Sequence, residues 1–486
     1  MLCISCIAAF NFGVIQIVTI GLIVWAIRPT YPKSFLVRQF EMASGVLVTE
    51  GPLVLANMSL FTIAVAGFFG VFQFRLVFTL TDLNASINDF NSLGRFFLGL
   101  AAVKLFVYPL LHLNGYASKA EAEAQVKKMY ASMSTYRATS DGADDLPVIA
   151  PAAPVFVTSA TIPVWVPWNV KVNQDSKIGT YPFMIIVDHL TVNIVTYATD
   201  EEMRSAGRIG ASYLKLDVIT PNKGSITHLK PVFVYIHGGA WSVGSKNPTI
   251  PGVYHMATKG WVVVNINYRM YPLVNYPTHL IDCKRAMRWV KQNISSYGGD
   301  PEFVTVGGGS AGAHLAAVLA LSSDRPAYQP GFEDVDLSVK ACVAYYMPCD
   351  VTSRIDSSGV ESTERGFPEW FAKVLCGFRS YEENYEYLKY DHSPIHMLER
   401  QATSPKGIPP FFLVHGTLDN LVAVELSQKF KKRCQELGGR CYFLELKGAH
   451  HAFDVLQSPR SRYSFWAMEQ FLESVYDRRR RRLHVL

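Results

Sequence analysis

From about residue 180 onward, short runs of β-branched and other apolar residues recur, with turns or helical stretches between them. The runs at 214–218, 232–236, 262–267, 304–306, 339–345, 411–414 and 442–446 have the length and composition of strands. Most are separated by segments of helical character, such as 279–296 and 311–321. Few architectures accept this rhythm. Repeated strand–helix–strand units build a largely parallel sheet covered by helices on both faces. In such folds ligands bind beyond the carboxyl ends of the strands. The chemically suggestive residues should therefore follow strands.

Four segments meet that condition. After the run at 304–306 comes Gly308-Gly309-Ser310-Ala311-Gly312, a match to G-x-S-x-G. That pattern sets a serine on a tight strand-to-helix elbow, where a β-carbon at Gly308 or Gly312 would collide with a neighbouring strand or helix. The helix behind the serine offers free N–H groups to developing negative charge. After 232–236 comes His237-Gly238-Gly239-Ala240-Trp241, whose adjacent glycines let backbone N–H groups approach a substrate. Acyl transfer needs such donors, because the attacked carbonyl oxygen becomes an oxyanion. Gly238, Gly239 and Ala311 are the expected N–H donors. His237 precedes the turn and reads as a structural histidine bonded to that loop.

The third segment, His415-Gly416-Thr417-Leu418-Asp419, follows 411–414 and supplies a carboxylate able to orient an imidazole. The fourth, Lys447-Gly448-Ala449-His450-His451-Ala452-Phe453, follows 442–446 and supplies histidines able to activate a serine. The chain order Ser, Asp, His is that of an α/β-hydrolase triad.

With these residues in place, the catalytic half resembles the hormone-sensitive-lipase-like branch of the α/β-hydrolase family. The resemblance rests on His237-Gly238-Gly239-Ala240, the Ser310 elbow, Asp419 and His451-Ala452-Phe453, with Asn267-Tyr268-Arg269 and Tyr297-Gly298-Gly299-Asp300-Pro301 as further landmarks. It covers about residues 210–475. It implies that Ser310 is the nucleophile, His451 the base and Asp419 the acid. By the family pattern His451 is preferred to His450, and Asp419 to Asp350. His314 reads as helix packing, Asp282 and Asp300 as packing and turn residues, and His392 and His396 fall in a variable stretch. Ala240 stands where many relatives have a third glycine, and it still supplies an N–H. The aromatic-rich stretch 350–400, with Trp370, Phe371 and Phe378, lies where that family keeps a cap over the acyl pocket.

The front end differs. No charged residue occurs between Cys3 and Ile27 or between Gly51 and Phe74, and a weaker apolar run over 96–113 carries Lys104 and Pro109. A helix needs about 20 apolar residues to span a bilayer, so these runs are expected to be about three transmembrane helices. Lys104 would have to snorkel or face a neighbouring helix. Arg28, Lys33, Arg38, Lys119, Lys127 and Lys128 favour an outside N-terminus and a cytoplasmic catalytic part. The expected organisation is a membrane domain at 1–115, a linker at 116–180 whose first part, Ser118 to Met133, has helix-forming residues and continues the third run into water, and the catalytic domain at 181–486.

Composition adds exclusions. A net charge of +6 over 486 residues, with no zinc-ligand spacing or RNA-binding signature, gives no reason to expect nucleic acid. Gly307-Gly308-Gly309 lacks the lysine of a phosphate loop, and no cofactor or metal is expected. Most of the eight cysteines are scattered singly and read as buried thiols. The expectation is a membrane-anchored serine carboxylesterase or lipase acting on apolar or lipid-like esters. Alternatives are an isoprenylcysteine methylesterase-like hydrolase, whose motif wording is similar, and a non-catalytic binding protein on the same fold.

Overall fold

The computed structural model describes residues 113–140, 171–173, 190–221, 228–247, 249–355 and 367–485, with short helical stretches and single positions between 14 and 111. The chain begins with helix α1 (Ser118–Ser140), strands β1 (Lys171–Asn173) and β2 (Leu190–Thr196), helix α2 (Asp200–Tyr213) and strands β3 (Lys215–Pro221) and β4 (Lys230–Ile236). Next come α3 (Pro251–Thr258), β5 (Val262–Ile266), α4 (Thr278–Asn293), β6 (Gly299–Gly309), α5 (Ala311–Ala320) and β7 (Cys342–Tyr345). The last third holds α6 (Tyr385–His392), α7 (Pro394–Thr403), β8 (Phe411–Gly416), α8 (Val424–Glu436), β9 (Cys441–Leu446) and α9 (Pro459–Val485).

The strands form one sheet in the order β1-β2-β3-β5-β4-β6-β7-β8-β9. β3 runs antiparallel to both β2 and β5, and every pairing from β5 through to β9 is parallel. Successive side chains point to opposite faces of a strand. Val232, Val234 and Ile236 join one buried cluster with residues of α4 and α5, while Phe233 and Tyr235 join another with residues of α3 and α9. Covering both faces explains why these strands are near-continuous apolar runs rather than alternating ones. Helix α5 is buried along its whole length, so small alanines fit where larger side chains would not. With helices on both faces of a mostly parallel sheet, this is the α/β-hydrolase architecture.

Two departures from the sequence reading stand out. The stretch from 116 does not begin as a linker. Its first part is the expected helix, α1, and this helix is docked on the sheet-and-helix body rather than continuing into water. Ala122, Val126 and Met129, spaced four and three residues apart on one helical face, are buried in the same cluster as Leu444, Met468 and Phe471. Tyr130 Oη donates to Gln470 of α9 at 3.3 Å.

The second departure concerns the front end. No helix among the described residues is long and apolar enough to cross a membrane. The run at 51–74 and most of the run at 3–27 lie outside the described residues. The expected transmembrane helices, and the multi-pass placement built on them, gain no support here. Lys104 is buried and its Nζ donates to Thr19 Oγ1 at 2.7 Å, so it faces a neighbouring helical segment.

Candidate active site

Strand β6 stops at Gly309, and α5 starts at Ala311, with a single residue between them. Ser310 joins them with φ 55° and ψ −124°, a conformation that L-residues rarely adopt. The turn is held because Ser310 N–H donates to Tyr345 O at 3.0 Å and His314 N–H donates to Ser310 O at 3.0 Å. Glycine is required on both sides of it. A Cβ on Gly312 would lie 2.1 Å from Ile236 O, and one on Gly308 would lie 2.5 Å from both Ile236 O and Gly312 C. The tight crossing leaves the serine side chain half-buried at the carboxyl edge of the sheet.

Opposite it, the loop after β9 brings His451 Nε2 to 2.9 Å from Ser310 Oγ. The other ring nitrogen, Nδ1, lies 2.7 Å from Asp419 Oδ2. An ionised carboxylate only accepts, so Nδ1 carries the proton and Nε2 is free to accept from the serine hydroxyl. Asp419 is buried, and burial alone would raise its pKa. His451 and His415 outweigh that and hold the carboxyl well below the usual carboxylate range. Two backbone donors, Leu421 N–H and Val422 N–H, each reach Asp419 Oδ1 at 2.9 Å.

The glycine turn after β4 closes over the elbow. A Cβ on Gly238 would lie 2.6 Å from Gly309 O and 3.3 Å from Ser310 Cβ. Gly239 has φ +119°, and a Cβ there would lie 1.9 Å from Val243 O. Among the described residues, the N–H groups of Gly238, Gly239 and Ala311 donate to no backbone carbonyl.

Other candidates serve elsewhere. His237 Nδ1 lies 2.7 Å from Gly238 O, the ring stacks on Tyr268, and burial lowers its pKa to about 4. His314 is buried with Nε2 at 2.8 Å from His392 O. Asp350 faces His396 at 3.4 Å and Thr352, not an active-site histidine. Asp282 is an ion-pair partner of Arg269 and Arg285. In the 350–400 stretch, Phe371 meets Trp241 edge-on with ring centroids 5.2 Å apart, which brings this insertion against the glycine turn.

Three local partners were not singled out from sequence. His415 Nε2 lies 2.9 Å from Asp419 Oδ2. The Tyr346 ring lies 4.5 Å from the His451 ring and its hydroxyl donates to Asp454. Lys246 Nζ pairs with the buried Asp217 Oδ1 at 2.6 Å and steadies the segment after the glycine turn. The Tyr346 and Lys246 pairs are far apart in the chain and only the fold brings them together, whereas His415 lies four residues from Asp419. Among the described residues, no group of three or more His, Cys, Asp or Glu side chains could hold a metal ion.

Residues 216–434 match the BD-FAE family model. The chain is 40% identical over 252 residues to "Esterase LipQ" of Mycobacterium tuberculosis, covering 51% of this chain and 56% of that one. It is 38% identical over 285 residues to "Probable carboxylic ester hydrolase LipM" of the same organism, covering 58% and 62%. It is also 25% identical over 289 residues to "Probable isoprenylcysteine alpha-carbonyl methylesterase ICMEL1" of Arabidopsis thaliana, covering 58% and 57%. Among solved structures, Thermogutta terrifontis esterase 2 aligns at 25% identity with a TM-score of 0.44, over 54% of this chain and 87% of that one. The matched part spans only a little over half the length of these curated relatives. Over that part, the chain is similar to carboxylic ester hydrolases.

Proposed function

We propose that this protein is a serine carboxylic ester hydrolase. Ser310 attacks the ester carbonyl carbon while His451 Nε2 takes its hydroxyl proton. The tetrahedral oxyanion is held by the N–H groups of Gly238, Gly239 and Ala311. Collapse expels the alcohol, which leaves with the proton from His451, and an acyl-Ser310 remains. Water then attacks that ester with His451 again as base, releasing the carboxylic acid and restoring Ser310. Asp419 keeps the His451 tautomer and offsets its positive charge.

The observation that carries this reading is the hydrogen-bonded chain from Ser310 through His451 to Asp419, at 2.9 Å and 2.7 Å. The named esterases among its relatives support the same reaction class. A fluorophosphonate probe tests it: the wild type is labelled at Ser310, located by mass spectrometry, and Ser310→Ala is not. Labelling that survives Ser310→Ala, together with no activity on a panel of acyl esters, overturns it.

The substrate is an ester with an apolar group, a reading supported by Trp241, Phe367 and Phe371, whose rings pack together beside the glycine turn. The methylesterase relative favours a second, narrower reading: a prenylcysteine methyl ester. Comparing its hydrolysis with that of short-chain acyl esters separates the two. The uncharged runs at 3–27 and 51–74 support membrane attachment, and the basic residues Arg28, Lys33, Arg38, Lys119, Lys127 and Lys128 favour the hydrolase part on the cytoplasmic side. Release of the full chain by alkaline carbonate overturns the attachment, and protease protection of the hydrolase part in sealed vesicles checks the side.

A further inference from the structure

Asp419 is surrounded more completely than an imidazole partner alone requires. Its Oδ1 accepts the two backbone N–H groups of Leu421 and Val422. Its Oδ2 lies 2.7 Å from His451 Nδ1 and 2.9 Å from His415 Nε2. Two histidines therefore share one carboxylate oxygen.

His415 is fully buried and lies in β8, which is paired on both sides by β7 and β9. Its Nε2 also lies 3.0 Å from Val422 O. Both neighbours of that nitrogen are acceptors, so Nε2 carries a proton and donates to them. The opposite nitrogen, Nδ1, lies 2.8 Å from Ser427 Oγ on α8, and that hydroxyl can donate to it. The ring is thus fixed in plane and in tautomer by groups remote from Ser310. His451, by contrast, stands on a loop beyond the end of β9. A strand-borne N–H on the shared oxygen gives that loop a fixed acceptor to meet.

We propose that His415 is a positioning residue for ester hydrolysis: its Nε2–H holds Asp419 Oδ2 in place and draws on the same lone-pair density that His451 uses. The inference rests on reading Ser310, His451 and Asp419 as a catalytic triad. No bond is made or broken at His415. Withdrawing its N–H would let Asp419 turn and would make it a stronger acceptor for His451. The first effect lowers turnover; the second stabilises protonated His451, so a higher pH is needed to free the base. The ionisable neighbours on the His451 side are Tyr346, over the ring, and Asp454, which accepts from Tyr346. On the His415 side, α8 contributes the neutral Ser427, and Cys349 donates to Leu426 O.

The test compares His415→Phe, a ring without a donor, and His415→Asn, too short to reach, with His415→Gln, whose amide can still donate to Asp419. Steady-state hydrolysis of a short-chain p-nitrophenyl ester gives kcat, KM and the acid limb of kcat/KM. The loss of one charge-assisted hydrogen bond is expected to lower kcat about tenfold in Phe and Asn, with KM within about twofold. In both variants the acid limb moves to higher pH, while Gln keeps kcat within about threefold and leaves the limb in place. If Phe does not fold, Asn against Gln makes the same comparison. Folded Phe or Asn variants with wild-type kcat and an unmoved acid limb overturn the proposal. Ser310→Ala, assayed alongside, separates the two readings: activity retained there overturns the triad itself, whereas its loss beside unaffected His415 variants overturns only the role of His415.

Discussion

Individual residues around Ser310 are constrained by contact distances that leave little room for substitution. On the proposed mechanism, Ser310→Ala removes the nucleophile and is expected to lower kcat by about 10⁴-fold or more, measured against active-site-titrated wild type. Asp419→Asn leaves the geometry in place but removes the charge and permits the wrong His451 tautomer. A loss of about 10⁴-fold in kcat is expected at neutral pH. Since Asp419 is held well below the usual carboxylate range, it stays ionised in mildly acidic buffer, and the acid limb of the rate profile belongs to another group. Gly239→Ala meets Val243 O at 1.9 Å, so that turn must shift. Its expected signature is a fall in kcat of about a hundredfold, the cost of displacing an oxyanion donor. These residues were legible in sequence because glycine next to a nucleophile or an N–H donor leaves a local pattern. His415, Tyr346 and Lys246 are tied to their partners by side-chain geometry, which leaves no comparable pattern.

Among the elements, the parallel strands were the most legible, because a strand buried on both faces has few polar residues to blur its limits. β7 is shorter than its apolar run suggests, since Val339 to Ala341 are paired only through loop bonds such as Lys340 N–H to Val304 O. β2, Leu-Thr-Val-Asn-Ile-Val-Thr, was missed. It lies next to the short β1 toward the sheet's rim, and its alternating threonine and asparagine dilute the apolar signal. Helix α1 was legible as a helix, but its docking was not, for a related reason. Its buried face is only Ala122, Val126 and Met129, a narrow stripe among Lys, Glu and Gln. That stripe is nonetheless part of the core. Val126→Asp would place a carboxylate in the buried apolar cluster that also holds Phe471 and Leu444, and a loss of about 3 kcal/mol or more in unfolding free energy is expected by denaturant titration. An unchanged midpoint would mean that the helix is not docked.

At the scale of the whole molecule, acid sensitivity follows from buried histidines. Burial lowers His237, His279 and His314 each to about 4, and holds His392 well below its ordinary value. In the unfolded chain these rings take up protons near the ordinary imidazole value of 6.5, while the folded chain resists until about 4. Their folded pKa values are depressed, so the stability they allow is fully present above the unfolded value and declines as pH falls below it. Each contributes a slope of roughly 1.4 kcal/mol per pH unit across that window. Thermal denaturation should therefore show Tm falling steeply from mildly acid pH downward, and His314→Gln should flatten the fall. A Tm that is level over the same range would contradict this.

The docking of α1 also gives the molecule a polarity. Glu121 accepts from Lys447 N–H at the carboxyl end of β9, and Tyr130 bonds Gln470 further along α9, so α1 and α9 start together at that edge and run side by side away from it. Asn114 and Gly115 lie beside Gly448 and Pro459. Because β6 and β9 belong to the same parallel array, this is also the edge at which Ser310 opens. Among the described residues, the start of α1 and the mouth of the site therefore lie at one end, and the far end of α9 lies at the other. Captured on a solid support through its C-terminus, the protein turns Ser310 to solution. Coupled to the support at residue 113 instead, it turns Ser310 toward the support, and the rate ratio between a bulky and a small ester should fall accordingly.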